Sequence, residues 1–253
     1  MYERELAFAH SLADRAAEIA MEFFRSGFEV HIKPDSTPVT EADLAVEAMI
    51  RSALAAEFPG DAVLGEEHGL AGSGAREWVV DPIDGTKNFA AGIQIWATLI
   101  ALLVDGEPVL GVVGAPALGE RYGAAAGVGA TLNGEPIHVS DRASLAECLV
   151  SHASLGDWRT GPNADGFAEL TARAARTRGF GDFWGHVLVA RGAADVMVEA
   201  ELRTWDWAAL APVVREAGGV VTQLDGSPLA DGRSVLTTNG AVHDEVVGLF
   251  GAD

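Results

Sequence analysis

The spacing of apolar residues changes twice along this chain, and that pattern limits the folds open to it more than any other feature. From Glu3 to Arg25, residues Leu12, Ala16, Ile19, Ala20 and Phe23 recur at helical spacing, which predicts an amphipathic helix stopped by Gly27. The following HIKPDSTPV has two prolines among Ser, Thr and Asp and reads as a loop. A second helix places Val46, Met49, Ile50, Ala53 and Leu54 on one face, with Thr40 and Asp43 as a capping pair at its start. From Trp78 onward, short β-branched and aromatic runs are separated by Asp105-Gly106 and Asn133-Gly134, the marks of hairpins in an antiparallel sheet. After about Ser140 the pattern alternates. Strand-like segments (Cys148 to Ser151, Asp195 to Glu199, Gly219 to Leu224, Val235 to Thr238) are interleaved with helical ones (Phe183 to Arg191, Trp207 to Ala217, Val242 to Phe250). The sum is an α/β, layered α+β architecture, expected to form one domain over residues 1–253 with halves of about 1–140 and 141–253 and a cleft between them.

Charge narrows the partners. Thirty-seven Asp and Glu against 17 Lys and Arg give a formal charge of −20, which repels phosphate backbones and anionic headgroups, so neither nucleic acid nor membrane is an expected partner. The longest apolar run, Ile95 to Val104, is far short of the roughly 20 residues that cross a bilayer and reads as a buried strand. The opening MYERELAFAH lacks the apolar core of a secretory signal, and the lone Cys148 precludes an intrachain disulfide; a cytoplasmic location is the expectation.

The segment Trp78 to Phe89, WVVDPIDGTKNF, carries the chemistry. The strand Val79-Val80 ends in Asp81, Pro82 forces a turn, Asp84 follows, and Gly85 lets the backbone bend. Thr86 then stands where a short helix can begin, a seat for phosphate beside two carboxylates that suit a hard cation. An Asx-turn and a helix cap explain Asp84 and Thr86 but leave Asp81 beside them unexplained. Glu66, in Gly65-Glu66-Glu67-His68-Gly69, offers a further ligand, although a Glu-Glu pair taken alone reads as solvated surface rather than as a ligand. Asp43 is either a cap or a carboxylate in reach of a cation, and Asp206, in Thr204-Trp205-Asp206-Trp207, is either a ligand or an acid opposing a helix dipole. Pro212 inside the helix that follows predicts a kink or a shifted start. The seven His lack zinc spacing; His68 and His152 read as surface or loop residues.

Taken in order, STPVTEAD, GEE, DPIDGT and WD resemble the inositol monophosphatase-like superfamily of metal-dependent, lithium-sensitive phosphatases. The resemblance implies an αβαβα sandwich of the inositol monophosphatase/fructose bisphosphatase type, usually a homodimer. It further implies two or three Mg²⁺ per active site, with Mn²⁺ able to substitute, and hydrolysis of a small-molecule phosphate monoester by water. By motif, Glu66, Asp81 and the carbonyl of Ile83 correspond to ligands of one cation, and Asp81, Asp84 and Asp206 to those of a second. Asp43 and Thr86 correspond to the pair that orients the attacking water, with the amides of Gly85 and Thr86 on the phosphate. Glu67 matches a neighbouring acid, and Lys33, Pro34, Asp35 and Ser36 match a mobile segment near a third metal site.

Substrate choice falls to the second half. Asp182, in FGDFW, stands where inositol-directed members hold a small neutral residue, and the segment is similar to that of histidinol-phosphate phosphatases in the superfamily. With Glu199, which corresponds to a substrate-contacting acid of the family, it would make a pocket for a cationic leaving group, and Phe183 or Trp184 is available to pack on an imidazole, unless they are plain core and Asp182 merely caps the helix from Phe183. The expectation is hydrolysis of L-histidinol phosphate in histidine biosynthesis. The alternatives are an inositol or broad-specificity sugar or polyol monophosphatase, and a non-catalytic regulatory or binding protein on the same fold.

Overall fold

The computed structural model describes residues 1–26, 30–32 and 38–251; Gly27, expected to stop the first helix, and the segment of Lys33, Pro34, Asp35 and Ser36 lie outside them. Helix α1 (Glu3–Ser26) opens on Glu3 and Glu5, closes near Arg25, and buries Ala9, Leu12, Ala13, Ala16 and Ala20. The stretch His31 to Val39, read as a loop, instead begins and ends in two short strands, β1 (Val30–Ile32) and β2 (Pro38–Thr40), paired antiparallel with Val30 opposite Thr40. Both ends of that stretch are therefore strand rather than loop. Its β-branched flanks, Val30, Ile32, Val39 and Thr40, suit a pleated backbone. Helix α2 (Glu41–Glu57) starts in the expected capping box of Thr40 and Asp43.

The first sheet takes β3 (Ala62–Gly65), β4 (Gly69–Ala71) and β5 (Arg76–Asp84), then, after the short helix α3 (Thr86–Ala90), β6 (Ala97–Val104), β7 (Glu107–Ala115), β8 (Glu120–Ala125), β9 (Gly129–Leu132) and β10 (Glu135–Pro136). Its order is β10-β9-β8-β7-β6-β5-β3-β4, antiparallel except for the parallel pair β3 and β5. The two expected hairpin turns have both central residues at positive φ: Asp105 (52°) with Gly106 (83°), and Asn133 (51°) with Gly134 (87°). The long apolar run is buried as β6, as its composition requires.

The second half comprises β11 (Leu149–His152), α4 (Ala164–Arg173), β12 (Arg176–Arg178), α5 (Asp182–Ala190), β13 (Val196–Leu202), α6 (Thr204–Trp207), α7 (Leu210–Glu216), β14 (Val220–Thr222), β15 (Arg233–Thr238) and α8 (His243–Phe250). The five strands form a mixed sheet ordered β12-β11-β13-β15-β14. Pro212 does not kink a long helix. It sits in the first turn of α7, where its missing N–H is not needed, and the helix starts anew after α6. His152 is buried on β11 and meets the Phe167 ring edge-on at 5.4 Å, so it is not a surface or loop residue.

Three apolar layers bind these elements. Leu12, Ala16, Val46 and Ile50 of α1 and α2 pack with Trp78, Ile100 and Leu110 on the outer face of the first sheet. Val79, Leu99 and Val113 on its inner face pack with Val187 of α5, Val213 and Val214 of α7 and Val235 of the second sheet. Phe167, Leu170 and Val246 of α4 and α8 cover the far face of that sheet at Val150, Val198 and Leu236. The succession is helix, sheet, helix, sheet, helix, the expected αβαβα sandwich. The passage between sheets is fastened by buried Asp195, which accepts hydrogen bonds from Ser140 Oγ, from Arg142 Nη1 at 2.9 Å and from the amide of Leu149 at 2.7 Å. Among the described residues no helix is long and apolar enough to cross a membrane.

Gly111 on β7 sets how closely the middle helices approach, because a Cβ there would lie 2.0 Å from the carbonyl oxygen of Ala209, between α6 and α7. Gly111→Ala must push α6 and Asp206 away from β5. We expect it to cost about 1–3 kcal/mol in stability and to weaken divalent-cation binding, read by thermal denaturation with and without Mg²⁺. An unchanged melting curve would contradict the close packing.

Candidate active site

The strand end foreseen in Trp78 to Phe89 is a structural interruption. The pairing of β5 with β6 runs in register to Asp81 opposite Leu99 and shifts before Asp84 opposite Ala97. Thr98 Oγ1 donates to the carbonyl of Pro82 at 2.8 Å and holds the displaced segment. Gly85 follows at φ 81°, the left-handed region open to glycine, and a Cβ there would come within 3.0 Å of the carbonyl of Ile95. The chain then turns into α3, with Thr86 Oγ1 donating to the carbonyl of Ile83 at 2.9 Å.

This geometry brings Asp81, Asp84 and Asp206 together, one carboxylate oxygen from each lying within 4.8 Å of the others. Asp206 arrives from α6, where its Oδ2 accepts the amide of Arg203 at 2.7 Å; the capping role and the shared position hold at once. Asp84 Oδ2 accepts the amide of Phe183 at 2.6 Å, tying the strand end to α5 across the layers. Asp81 Oδ1 is buried without a hydrogen-bond partner, an uncommon and costly state for a carboxylate oxygen. Burial, then the charges of Glu66, Asp84 and Asp206, hold the Asp81 carboxyl well above its ordinary range. Burial and the neighbouring Asp182 and Asp206 do the same to Asp84, and burial raises Asp206 to about 7 despite the Arg203 amide. A divalent cation fits here. Its charge would relieve the repulsion, and its coordination would satisfy the orphaned oxygen.

Glu66 sits in the turn between β3 and β4 and lines the same cleft as Asp84, Gly85, Thr86 and Asp206. Its amide donates to the carbonyl of Val80 at 3.2 Å, which extends the parallel pairing of β3 with β5 by one residue and fixes where the turn leaves the sheet. Asp43 accepts the amide of Thr40 at 2.8 Å on Oδ2, while its Oδ1 is buried without a partner; burial raises this carboxyl to about 7, with the Thr40 hydrogen bonds opposing. The cap and the functional reading of Asp43 are therefore compatible, one oxygen for each.

The cleft has a volume of about 730 Å³, and Asp182, Phe183, Glu199, Arg203 and Trp205 form its other wall. Helix α5 begins at Asp182 rather than Phe183, and its cap is Gly181, so Asp182 is not the helix cap. Its φ of 56° is uncommon for a residue with a Cβ. The conformation is held from both sides: the Asp182 amide donates to Glu199 Oε1 at 3.2 Å, and Asn88 Nδ2 donates to Asp182 Oδ2 at 3.0 Å. Burial pushes both carboxyls up, the Asp182 shift being opposed by Lys87 and Asn88. Phe183 is buried and belongs to the middle core, while Trp184 is partly buried against it.

Sequence reasoning missed two residues here. Asn88 follows the DPIDGT motif by two positions, and nothing in its type announces a bond to Asp182. Glu47 and its partner Arg51, spaced four apart on a helix, look like an exposed ion pair, yet Glu47 is fully buried beneath the Glu66 turn.

The like-charged cluster predicts a trade between stability and binding. In Asp81→Asn, the cation-free protein should melt about 2–5 °C higher than the parent, the scale of a one- to two-kcal/mol relief, and should lose the rise in melting temperature produced by Mg²⁺. A lower cation-free melting temperature with the Mg²⁺ response intact would contradict it.

Residues 1–250 match the inositol monophosphatase family. The chain is 45% identical to a histidinol-phosphatase of Streptomyces coelicolor, covering 98% of this chain and 97% of that one, and 47% identical to a histidinol-phosphatase of Mycobacterium tuberculosis, covering 98% of each. Its structure is similar to that of the inositol monophosphatase from Anabaena, with a TM-score of 0.86 and 32% identity over 98% of this chain and 95% of that one. A strand ending in paired acids, a distant third acid beside them and these likenesses over nearly the whole length have one explanation: the chain belongs to the inositol monophosphatase family.

Proposed function

We propose that this protein is a Mg²⁺-dependent phosphate monoester hydrolase that converts L-histidinol phosphate and water to L-histidinol and phosphate. The observation that carries the substrate is the pair Asp182 and Glu199, two carboxylates joined through the Asp182 amide in the wall that faces the Asp84 and Asp206 acids. An inositol has no cation to offer such a wall; histidinol has an ammonium and an imidazole. Full-length likeness to two histidinol-phosphatases supports the same choice.

Glu66, Asp81, the carbonyl of Ile83, Asp84 and Asp206 would hold the cations, whose chemistry is to offset charge on the attacking and leaving oxygens and to make a bound water more acidic. The remaining work belongs to the chain. Because the Thr86 hydroxyl donates its hydrogen bond to the Ile83 carbonyl, its oxygen is left as an acceptor and orients a water through that water's hydrogen. Asp43 Oδ1, with no other partner, is the second acceptor for the same task. The amides of Gly85 and Thr86, at a backbone bend without a side chain at Gly85, receive the phosphate. Asp182 and Glu199 then fix the leaving alcohol by its cationic end.

Asp182→Asn tests the substrate. Asn tolerates a positive φ and keeps an oxygen for Asn88, so the change removes charge with little strain. The variant should lose about 10–100-fold in kcat/KM for histidinol phosphate, the scale of a hydrogen bond to a charged group, mainly through KM. Any turnover of inositol 1-phosphate should stay within about twofold. Equal losses on both esters, or faster turnover of inositol 1-phosphate by the parent protein, would defeat the assignment.

A further inference from the structure

Beneath the acidic centre lies a further buried carboxylate, Glu47, which is not among the residues that line the cleft. Asp43, Glu47 and Arg51 succeed one another at four-residue spacing on α2, and so share one face of the helix. Asp43 and Glu47 are both fully buried. Glu47 Oε2 accepts the amide of Glu67 at 2.7 Å; its Oε1 accepts the amide of His68 at 3.1 Å and Arg51 Nε at 2.6 Å, with His68 Nδ1 also at 3.1 Å. Both oxygens are thus engaged by the two residues that follow Glu66 and by the guanidinium. Successive amides of a turn form a concavity for an anion, and here the protein supplies that anion itself.

Arg51 grips the strands on either side of the same turn. Its Nη1 donates to the carbonyl of Val63 on β3 at 3.3 Å, and its Nη2 donates to the carbonyl of Gly69 at the start of β4. Gly65, immediately before Glu66, leaves room for this arrangement: a Cβ there would lie 2.2 Å from Glu47 Oε1. We propose that Glu47 and Arg51 are positioning residues that fix the 65–69 turn from below and so hold Glu66 toward the cations. This rests on the reading of Glu66 as a cation ligand. It adds that the affinity of the centre is set in part by an ion pair that contacts neither cation nor substrate, as happens where ligand orientation depends on outer hydrogen-bond partners.

Glu47→Gln keeps the shape but presents an N–H₂ where amides and a guanidinium require an acceptor. Arg51→Lys keeps the charge and gives up the fork that spans β3 and β4; it is the milder change and decides the matter if Glu47→Gln does not fold. Mg²⁺ binding to each folded variant is measured by isothermal titration calorimetry, beside Glu66→Gln and the double variant with Glu47→Gln. We expect each positioning variant to bind Mg²⁺ about tenfold more weakly. The double variant should bind no more weakly than Glu66→Gln, because the first change acts through the second residue. If Glu66→Gln weakens binding while both positioning variants stay within about twofold of the parent, or if the losses simply add, the pair is only a structural clamp and the inference falls alone. If Glu66→Gln itself binds Mg²⁺ like the parent, the reading of Glu66 falls and takes the inference with it.

Discussion

Repulsion among buried carboxylates is the constraint around which this molecule is arranged. Asp81, Asp84 and Asp206 occupy one small volume at the end of β5, with Glu66 close enough to raise the first and the last of them. Left to themselves such groups separate or take up protons. They stay together because each is fixed by a different part of the chain. Asp81 is held by the paired portion of β5, Asp84 by the amide of Phe183 and Asp206 by the amide of Arg203. The unfavourable charge is thereby stored in the native state, and a divalent cation is the ligand best able to release it.

The layers serve that arrangement. The first sheet presents the end of β5, and α2 brings Asp43 from one side. The middle helix layer brings Asp182 and Asp206 from the other, seated closely enough to need glycine at position 111. Two of the holding bonds, from Phe183 to Asp84 and from Asn88 to Asp182, cross between the halves of the chain in opposite senses. The acid cluster and the Asp182 wall of the cleft are therefore mechanically linked, and the left-handed backbone at Asp182 is sustained by partners from both halves.

The readable parts of the sequence were those whose signal is local. Asp81 and Asp84 stand out because a strand, a proline and a glycine force them to one place within a few residues, and Asp43 because its cap is written in Thr40 three positions earlier. Asp206 has no local mark beyond a helix-start acid; only the ordered set of motifs joined it to the others. The short strands β1 and β2 were hidden by Pro34 and the turn formers between them and by Pro38 at the start of β2, α4 by its shortness, with Phe167 and Leu170 as its only large apolar residues, and β12 by its polar Arg-Thr-Arg sequence. Glu47 was hidden for a different reason: acid and base four apart on a helix are the signature of a solvated face, and its burial follows from where β3 and β4 meet α2, which is tertiary information.

Crystals grown with Mn²⁺ and measured for anomalous scattering test the central claim most directly. The account predicts peaks bounded by Asp81, Asp84 and Asp206, with Glu66 turned toward one of them. Peaks confined to other surface acids, with those side chains directed away from a common centre, would contradict it.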